Sequence, residues 1–467
     1  MFILMPVIFV LGILAIALED KIKINKAAIA LFMAISMWMI LMFDAYNIFV
    51  ERSSTIFQEF LTQNPEMASL PPHEQFINFI SNRAIVYHLG NVSETLFFVM
   101  CSMLIVDIVD KHGGFRAVTG YIRTPNKRKL LWYISFATFF FSALLDNLAA
   151  AIVIMAVLRK LVPDRTDRLK YACMVIIAAN AGGSWSPIGD VTTILLWVGK
   201  NISAMHQISH VFIPALVNML VPLTIAHFWL FKKGSTLRVL SEEEQGDEYI
   251  PEIPNRSRRM IFVIGVLSLA PVFQMVTNLP PFLGALLGLV ILWFYTDLMY
   301  SKLHMHESQK LRISQLLPNI DLATIFFFLG ILMAVGALET SGQLGIMSAF
   351  LDKHVHEPYL ISFVIGALSS CVDNVALVAA TMGMYPIVEQ VVDLSPYAQF
   401  FVSDGGFWTF LAYCAVTGGS ILIIGSATGV TVMGLEKIDF MYYTKRFSIL
   451  ALIGYCCGAG VYMLLFA

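Results

Sequence analysis

Charged residues are scarce in this chain. Asp, Glu, Lys and Arg make up 13% of its 467 residues, whereas hydrophobic residues make up 58% and the mean hydropathy is +0.75. A water-soluble domain needs a more polar surface than this composition supplies. Apolar runs of about 17 to 25 residues, the length of a membrane-crossing helix, recur from end to end, whereas barrel strands would be shorter and alternating. The composition therefore predicts an all-α polytopic membrane protein.

A surplus of positive charge and paired cysteines are also missing. The formal net charge of -2 leaves no basic face on which a nucleic acid could bind. The six cysteines lie in apolar runs without CxxC or Cys/His spacing, so neither disulfides nor zinc are predicted. The first apolar run lacks the basic start and the small-residue cleavage site of a signal peptide, and we expect it to remain as a span.

Ten apolar runs have the length of full spans. They lie at about 2–18, 27–43, 94–110, 171–200, 211–231, 260–277, 281–299, 321–338, 407–434 and 447–466. Two further stretches, about 130–162 and 359–390, are too long for one helix, and Asp-Asn interrupts each near its middle. Each of these stretches could form two spans or one re-entrant hairpin.

The distribution of Lys and Arg favours the hairpins, because these residues accumulate in cytoplasmic loops. Six of them, between 111 and 129, precede the stretch 130–162, and five, between 159 and 170, follow its turn. Both ends of this stretch are therefore expected on the cytoplasmic side. With two hairpins of opposite orientation, 26 of the 30 basic residues are cytoplasmic, and both chain termini are expected outside.

The two halves of the chain repeat one order of elements with opposite orientation. Residues 1–231 are predicted to form the first inverted repeat, 232–259 a charged cytoplasmic linker, and 260–467 the second inverted repeat. Each repeat consists of five spans plus a re-entrant hairpin. The fourth span of each, about 171–200 and about 407–434, is predicted to be a broken helix.

Two sequence motifs recur in the halves and support this repeat. SALLDN, which contains Asp146, is matched by SSCVDN, which contains Asp373, and GGSWSPIG is matched by GGSILIIG. Inverted repeats with discontinuous helices are typical of secondary transporters, whose substrates bind near the middle of the membrane. Non-helical backbone at that depth is otherwise costly, because its polar groups find no water there. The sequence therefore predicts a transporter whose site lies at the hairpin tips and helix breaks.

Side chains with oxygen donors concentrate at these tips and breaks, which contain no Lys or Arg. The donors are Asp146, Asn147, Asn180, Ser184, Ser186, Asp190, Thr192, Thr193, Ser369, Ser370, Asp373, Asn374, Thr417, Ser420, Ser426 and Thr428. Such oxygens suit a hard cation, and the lack of clustered His or Cys argues against zinc or copper. The pattern favours a small alkali cation over a carboxylate substrate.

The intramembrane aspartates allow two interpretations. A buried carboxylate can hold a proton once its cation leaves, since an isolated charge is costly in the membrane. If Asp146 and Asp190 face one cavity, a cation stabilises both carboxylates and protonation expels it. Asp146, Asp190 and Asp373 could instead only cap the helices that follow them. The recurrence of Asp-Asn in both hairpins favours the functional interpretation.

SALLDN, NAGGSWSPIGDVTT and SSCVDN resemble the NhaD family of sodium/proton antiporters, over about residues 90–440. The resemblance implies exchange of sodium or lithium for protons without a cofactor, a role in pH homeostasis, a bacterial inner (plasma) membrane and a homodimer. With Asp373 added as the counterpart of Asp146, the predicted cation and proton site is Asp146, Asn147, Asn180, Asp190, Thr192, Thr193, Ser369, Asp373, Asn374 and Ser420. The expected sodium ligands among them are Asp146, Asn147, Asp190 and Asn374.

Three alternatives remain open, of which a receptor or sensor derived from a transporter is disfavoured by the acidic residues kept at the tips and breaks. Dicarboxylate carriers of the same superfamily have Ser-Asn-Thr at both hairpin tips, where this chain has Asp146 and Asp373. The extra carboxylate suits a cation, so an organic-anion or arsenite transporter is the second choice. PIGD also resembles the GxGD of intramembrane aspartyl proteases, but Pro187 replaces its first glycine and the repeat has no role in that chemistry. The protein is therefore not expected to be an enzyme.

Overall fold

The computed structural model describes residues 2–17, 19–51, 55–113, 124–232, 234–237, 253–269, 272–277, 279–302, 311–370, 374–389 and 394–467. In these ranges the chain forms helices and turns, with isolated bridges such as that between Asn126 and Thr236. Helices suit a chain in lipid, because each pairs its backbone groups within itself. The predicted all-α polytopic fold is confirmed.

The helices fall before and after the linker. Before it lie α1 (Leu4–Ala17), α2 (Glu19–Ile22), α3 (Lys26–Phe43), α4 (Thr55–Gln63), α5 (Pro65–Ala68), α6 (Pro72–Ile77), α7 (Ile85–Lys111), α8 (Lys127–Leu145), α9 (Asn147–Leu161), α10 (Arg165–Ser184), α11 (Val191–Val198) and α12 (Ala204–Trp229). After it lie α13 (Asn255–Leu269), α14 (Val272–Thr277), α15 (Pro281–Lys302), α16 (Ile313–Leu316), α17 (Leu322–Thr340), α18 (Gln343–His354), α19 (Pro358–Leu368), α20 (Asn374–Met384), α21 (Gly406–Gly418), α22 (Ala427–Glu436), α23 (Phe440–Arg446) and α24 (Ser448–Phe466).

Seven helical segments within the described ranges are long and apolar enough to cross a membrane. They are Lys26–Phe43, Pro72–Val109, Lys127–Leu145, Ala204–Trp229, Phe282–Lys302, Leu322–Thr340 and Ser448–Phe466. Six of them coincide with predicted full spans, and the seventh is α8. The other four predicted spans correspond to α1, to α13 with α14, and to the pairs α10/α11 and α21/α22, which are short or interrupted. The chain is an integral, multi-pass membrane protein.

The chain divides into two compact units. The first comprises residues 1–97, 321–361 and 375–388, and the second comprises residues 98–320, 362–374 and 389–467. The described site residues of the sequence prediction all belong to the second unit.

In the first unit, α3 and α17 pack closely against each other. The indole nitrogen of Trp38 donates to the carbonyl oxygen of Met333 at 2.9 Å. A Cβ atom added to Gly330 would lie 2.5 Å from the backbone of Ala30, so only glycine permits this approach. Small residues are the usual means by which membrane helices come close together.

A cluster of phenylalanine rings forms the core of the segment between α3 and α7. Its ring centroids lie 5.1 to 6.5 Å apart. Its members are Phe49, Phe57, Phe60, Phe76 and Phe79. Aromatic rings at such separations stabilise a small core beyond the area they bury. The short helices α4 and α6 therefore share a packed core.

Candidate functional site

The chain turns at Asp146, between α8 and α9. Asp146 has φ +80° and ψ 157°, a backbone region that is essentially restricted to glycine. Its side chain accepts a hydrogen bond from the backbone N–H of Ala149 at 2.9 Å and thereby caps α9. An aspartate held in this conformation costs about 1 to 3 kcal/mol, and such strain tends to persist at functional sites.

A second interruption separates α10 from α11. Helix α10 ends at Ser184, and Asp190 is the N-cap of α11. The Asp190 side chain accepts from the backbone N–H of Thr192 at 2.7 Å, while the hydroxyl of Thr193 donates to the carbonyl oxygen of Asp190 at 2.8 Å. Asp190 is only 4% exposed. This half-helix thus begins at a buried carboxylate.

Two asparagines converge on the Asp190 carboxylate. Asn147, the first residue of α9, donates its side-chain amide to one carboxylate oxygen. Asn374, the first residue of α20, donates to the other at 3.4 Å. Both asparagines are buried, and each follows an aspartate in a repeated Asp-Asn motif. Asp190 is therefore the acid on which both Asp-Asn segments meet.

Asn180 connects this acid to the second break. Its side-chain oxygen accepts from the amide of Asn147 at 3.1 Å. Its amide nitrogen donates to the hydroxyl oxygens of Ser420 at 2.9 Å and Ser426 at 3.0 Å. Ser426 is the N-cap of α22, as Asp190 is of α11. One continuous set of buried hydrogen bonds therefore joins the two helix breaks.

Each hairpin is fastened to its neighbouring broken helix by the same serine contact. The hydroxyl of Ser142 donates to the carbonyl oxygen of Ala179 at 2.5 Å, and that of Ser369 donates to the carbonyl oxygen of Ala415 at 2.6 Å. All four residues are fully buried. The two contacts lie at corresponding positions of the two sequence motifs.

The carbonyl groups freed at the two breaks are also satisfied in corresponding ways. Gln207 donates to the carbonyl oxygen of Ser184 at 2.5 Å, and the hydroxyl of Tyr443 donates to that of Ser420 at 2.7 Å. Each donor lies 23 residues after its acceptor. Buried carbonyl groups at a helix end need such partners.

Paired glycines let the hairpins approach the broken helices. A Cβ atom on Gly182 would overlap the carbonyl oxygen of Phe139, and one on Gly418 would overlap that of Gly366. These are the first glycines of the two Gly-Gly-Ser motifs. Backbone therefore lies directly on backbone at both crossings.

The side-chain hydroxyls of two threonines beside the N-caps have no hydrogen-bond partner within the described structure. The threonines are Thr192, two residues after Asp190, and Thr428, two residues after Ser426. Both side chains are 0% exposed. A buried hydroxyl without a hydrogen-bond partner is unusual, and a contact between its oxygen and a bound ligand would be favourable.

The end of α22, beyond the predicted span, is held by arginines. Glu436 accepts from the Nε atoms of Arg159 and Arg168, both at 2.7 Å, and its side chain is 2% exposed. Burial alone would raise the pKa of Glu436, but the hydrogen bonds and charges of the two guanidinium groups outweigh it and lower the pKa below its ordinary value. This ion-pair cluster fixes α22 against the end of α9 and the start of α10.

Most of the predicted site residues come together in the second unit. Five of them, Asn147, Asn180, Asp190, Asn374 and Ser420, form one hydrogen-bonded set. Thr192 is adjacent through its backbone, whereas Thr193 and Ser369 bond to backbone carbonyls and support the frame. Asp146 and Asp190 both cap helices, as the alternative interpretation allowed, and Asp190 has the two amide contacts in addition. Asp373 lies outside the described residues.

Three residues that position the site were missed. Ser142 precedes Asp146 in SALLDN as Ser369 precedes Asp373 in SSCVDN, so the repeat itself could have indicated it. Gln207 and Tyr443 occupy corresponding places but differ in type. No motif comparison could have found that pair.

The donor set at Asp190 is chemically hard. It consists of one carboxylate with amide and hydroxyl groups, and such oxygens prefer alkali and alkaline-earth cations. Across the described residues, no cluster of three or more His, Cys, Asp or Glu side chains could hold a metal ion. The site therefore differs from the all-carboxylate and histidine-rich sites of tightly bound metals.

An all-helical membrane fold with buried polar helix breaks is typical of membrane transporters. Residues 13–403 match the model of the citrate transporter family, CitMHS, and the chain belongs to this family. It is 39% identical to Sodium/proton antiporter 1 of Arabidopsis thaliana, over 98% of this chain and 72% of that protein. Sodium/proton antiporter 2 of the same plant is 36% identical over 98% of both chains. The Na(+)/H(+) antiporter NhaD of Vibrio cholerae is 28% identical over 83% of this chain and 81% of that protein.

These relatives confirm the predicted resemblance to NhaD proteins. They are named as transporters, and the prediction that the chain is not an enzyme agrees with them. Antiporters of this kind need no cofactor, because the ions they carry are substrates.

Proposed function

We propose that this protein exchanges sodium or lithium for protons, and that Asp190 carries the two ions in turn. The observation that carries the proposal is the convergence of Asn147 and Asn374 on the Asp190 carboxylate. Relatives named as sodium/proton antiporters support the choice of ions.

Asp190 can bind either ion because it is buried and negatively charged. An uncompensated carboxylate is costly in the membrane interior, so it takes up a proton when the cation leaves. A cation and a proton then compete for the same oxygens. This competition couples the two fluxes without any covalent step.

The asparagines can serve both ions. A side-chain amide presents two N–H donors on one side and a carbonyl oxygen on the other. Asn147 and Asn374 donate to Asp190. After a half-turn of each amide, their oxygens would join Asp190 and the hydroxyl of Thr192 as ligands of sodium.

Asp146 is proposed as an auxiliary carboxylate. One of its oxygens caps α9, next to Asn147. A second negative charge at the hairpin tip raises the attraction for a cation, as Coulomb interactions are strong in a medium of low polarity. Asp373 is proposed to act likewise at the other tip.

The two halves are proposed to be inverted copies, with 232–259 between them. Corresponding contacts at Ser142 and Ser369 and at Gln207 and Tyr443 support the repeat, and the distribution of Lys and Arg supports the inversion. The bacterial plasma membrane and the homodimer stay predictions, since the relatives include plant and bacterial proteins.

Proton flux in everted membrane vesicles tests the exchange. Sodium added to vesicles with an imposed pH gradient should collapse that gradient, and potassium should not. The family description favours citrate as the second candidate substrate. Uptake of citrate by the same vesicles, without any response of the gradient to sodium or lithium, would replace the antiporter with an anion transporter.

A further inference from the structure

A polar cavity of about 300 Å³ lies within the first unit. Its walls come from α4, from the end of α17, and from residues 79–88, which lead into α7 and form its first turn. The titratable side chains that line it are Glu59, Arg83, Tyr87, His88 and Glu339. A cavity of this volume has the size of a site for a small organic group and is larger than a bare ion requires.

Three charged side chains line this cavity without pairing with one another. Glu59, Arg83 and Glu339 form no ion pair and no side-chain hydrogen bond within the part of the chain that the structure describes. Glu339 is half-buried at the next-to-last position of α17, and its Oε2 atom would lie 3.6 Å from a Cβ atom on Gly383. A carboxylate that is partly removed from water without a partner is costly. The cavity therefore presents charges of both signs to a ligand.

His88 belongs to the wall of the cavity and not to this set of charges. The hydroxyl of Thr340 donates to the carbonyl oxygen of Gly336 at 2.8 Å, so its one proton is engaged. The Nε2 atom of His88, 3.0 Å from that hydroxyl oxygen, is therefore the donor of their contact. A Cβ atom on Gly336 would lie 2.9 Å from Nδ1, so the ring is held against α17. The acids that remain for a ligand are Glu59 and Glu339.

Arg83 lies at the wall between this cavity and a neighbouring one of about 450 Å³. Its guanidinium carbon is 5.8 Å from the ring centroid of Tyr87, a separation at which the ring attracts the cation. The amide of Gln63 lines both cavities as well. Guanidinium groups bind phosphate and carboxylate oxygens with particular strength. An anionic group is therefore expected at Arg83, and a cationic group beside Glu59 and Glu339.

Apolar side chains close to Arg83 face lipid. Val86 and Tyr87 follow Arg83 by about one turn, and these two residues and Leu89 are exposed on a helical segment long enough to cross the membrane. Tyrosine is enriched where membrane helices meet water, at the depth of the lipid head groups. A ligand that enters this cavity therefore has hydrocarbon beside its anionic end.

We propose that the cavity binds the head group of a phospholipid that has a primary ammonium. The ammonium lies between Glu59 and Glu339, the phosphate lies at Arg83, and the acyl chains run along Val86 and Leu89. A primary ammonium has three N–H donors, which two carboxylates accept, whereas a quaternary ammonium has none. None of these residues belongs to the hydrogen-bonded set around Asp190, so the lipid site does not depend on the proposed ion exchange.

Binding of short-chain lipids to the purified protein in detergent tests this site. A ligand of the folded chain raises its unfolding temperature. Dihexanoyl phosphatidylethanolamine should do so at about tenfold lower concentration than dihexanoyl phosphatidylcholine, whose ammonium has no N–H group. Free phosphoethanolamine, which lacks the chains, should bind more weakly than the lipid. Equal effects of the two lipids, or equal binding of free phosphoethanolamine and its lipid, would overturn the proposal.

Two variants test which residue binds which charge. Glu339→Gln should remove the preference for the ethanolamine lipid and leave binding of the choline lipid unchanged. Arg83→Gln should weaken both lipids about tenfold, because both have a phosphate. Glu66→Gln, at an exposed position, and Arg446→Gln, whose guanidinium also lies over a tyrosine ring at 4.9 Å, are the matched controls and should keep both affinities.

The test does not depend on one variant. If Glu339→Gln does not fold, Glu59→Gln, at an exposed position of the same cavity, should reduce the preference for the ethanolamine lipid. An undiminished preference in folded Glu339→Gln, or in Glu59→Gln where that variant replaces it, would contradict the proposal. So would an Arg83→Gln variant that binds both lipids as tightly as Arg446→Gln does.

Discussion

At the scale of single residues, the two described aspartates of the site have different tasks. Asp146 has a backbone conformation that glycine would adopt without strain, and its side chain caps α9. Asp190 is nearly fully buried and receives amides from two separate hairpin tips. The first feature concerns the shape of the tip and the second concerns the charge of the site.

Asp146→Gly should separate these tasks. Glycine removes strain of about 1 to 3 kcal/mol and loses a few tenths of a kcal/mol of capping. The free energy of unfolding should therefore rise by roughly 1 kcal/mol, and the unfolding temperature should rise with it. Exchange should fall, because the auxiliary carboxylate is gone. Lys200→Gly, at φ +61°, should gain stability and keep exchange. A lower free energy of unfolding for Asp146→Gly would contradict backbone strain at Asp146.

The hydroxyl of Tyr443 offers a near-isosteric test of the frame. Tyr443→Phe leaves the buried carbonyl group of Ser420 without its donor, which should cost about 1 to 2 kcal/mol in unfolding free energy. The apparent affinity for sodium should fall with it. Tyr133→Phe, with a side chain 48% exposed, should change neither thermal unfolding nor affinity. If the two variants had the same unfolding temperature and the same affinity for sodium, Tyr443 would not stabilise the helix break.

At the scale of helices, backbone contact at the glycines positions the hairpins. Gly182 and Gly418 lie where α10 and α21 cross the backbone of residues 139 and 366. Neither hairpin can move along its broken helix without losing the serine contact nearby. The site geometry therefore depends on two crossings that tolerate no side chain.

Gly182→Ala and Gly418→Ala should each be destabilised by about 1 to 3 kcal/mol, because the added methyl group meets backbone that cannot give way. Gly460→Ala is the control, since a Cβ atom there has no atom within 4 Å. Alanine favours helix, so this control should unfold at the same or a higher temperature. Thermal unfolding in detergent distinguishes them, and equal effects of all three would refute close packing at the crossings.

The ion pairs of Glu436 predict a dependence of stability on pH. Because its pKa is lowered in the folded protein, its contribution is fully present above its ordinary pKa and is lost as pH falls through the lowered value. Glu436→Gln should therefore lose about 2 kcal/mol of unfolding free energy at neutral pH, because it weakens two charged hydrogen bonds. The difference in unfolding free energy between this variant and the unaltered protein should disappear only under strongly acidic conditions. Glu66→Gln, at an exposed position, should have the same unfolding free energy as the unaltered protein. A difference for Glu436→Gln that grew on acidification would contradict a lowered pKa of Glu436.

At the scale of the whole molecule, the sequence predicted the helical membrane fold and the residues that meet at the site. The length of the apolar runs and the repeated Asp-Asn and Gly-Gly-Ser motifs were sufficient for this prediction, because each reflects a physical requirement of a chain in lipid. Which aspartate is central could not be predicted, since Asp146 and Asp190 both precede a helix and both cap it. Only the tertiary approach of Asn147 and Asn374 distinguishes Asp190.

The central claim is that the charge of Asp190 binds sodium and protons in turn. Sodium-driven proton flux in everted vesicles with Asp190→Asn tests it most directly, because asparagine caps a helix as well as aspartate does and removes the charge, at the loss of one acceptor oxygen. Asp164→Asn is the matched control, an exposed N-cap whose side chain accepts from Thr166 at 2.6 Å. We expect Asp190→Asn to abolish flux and Asp164→Asn to retain it. Undiminished flux in folded Asp190→Asn would contradict the account.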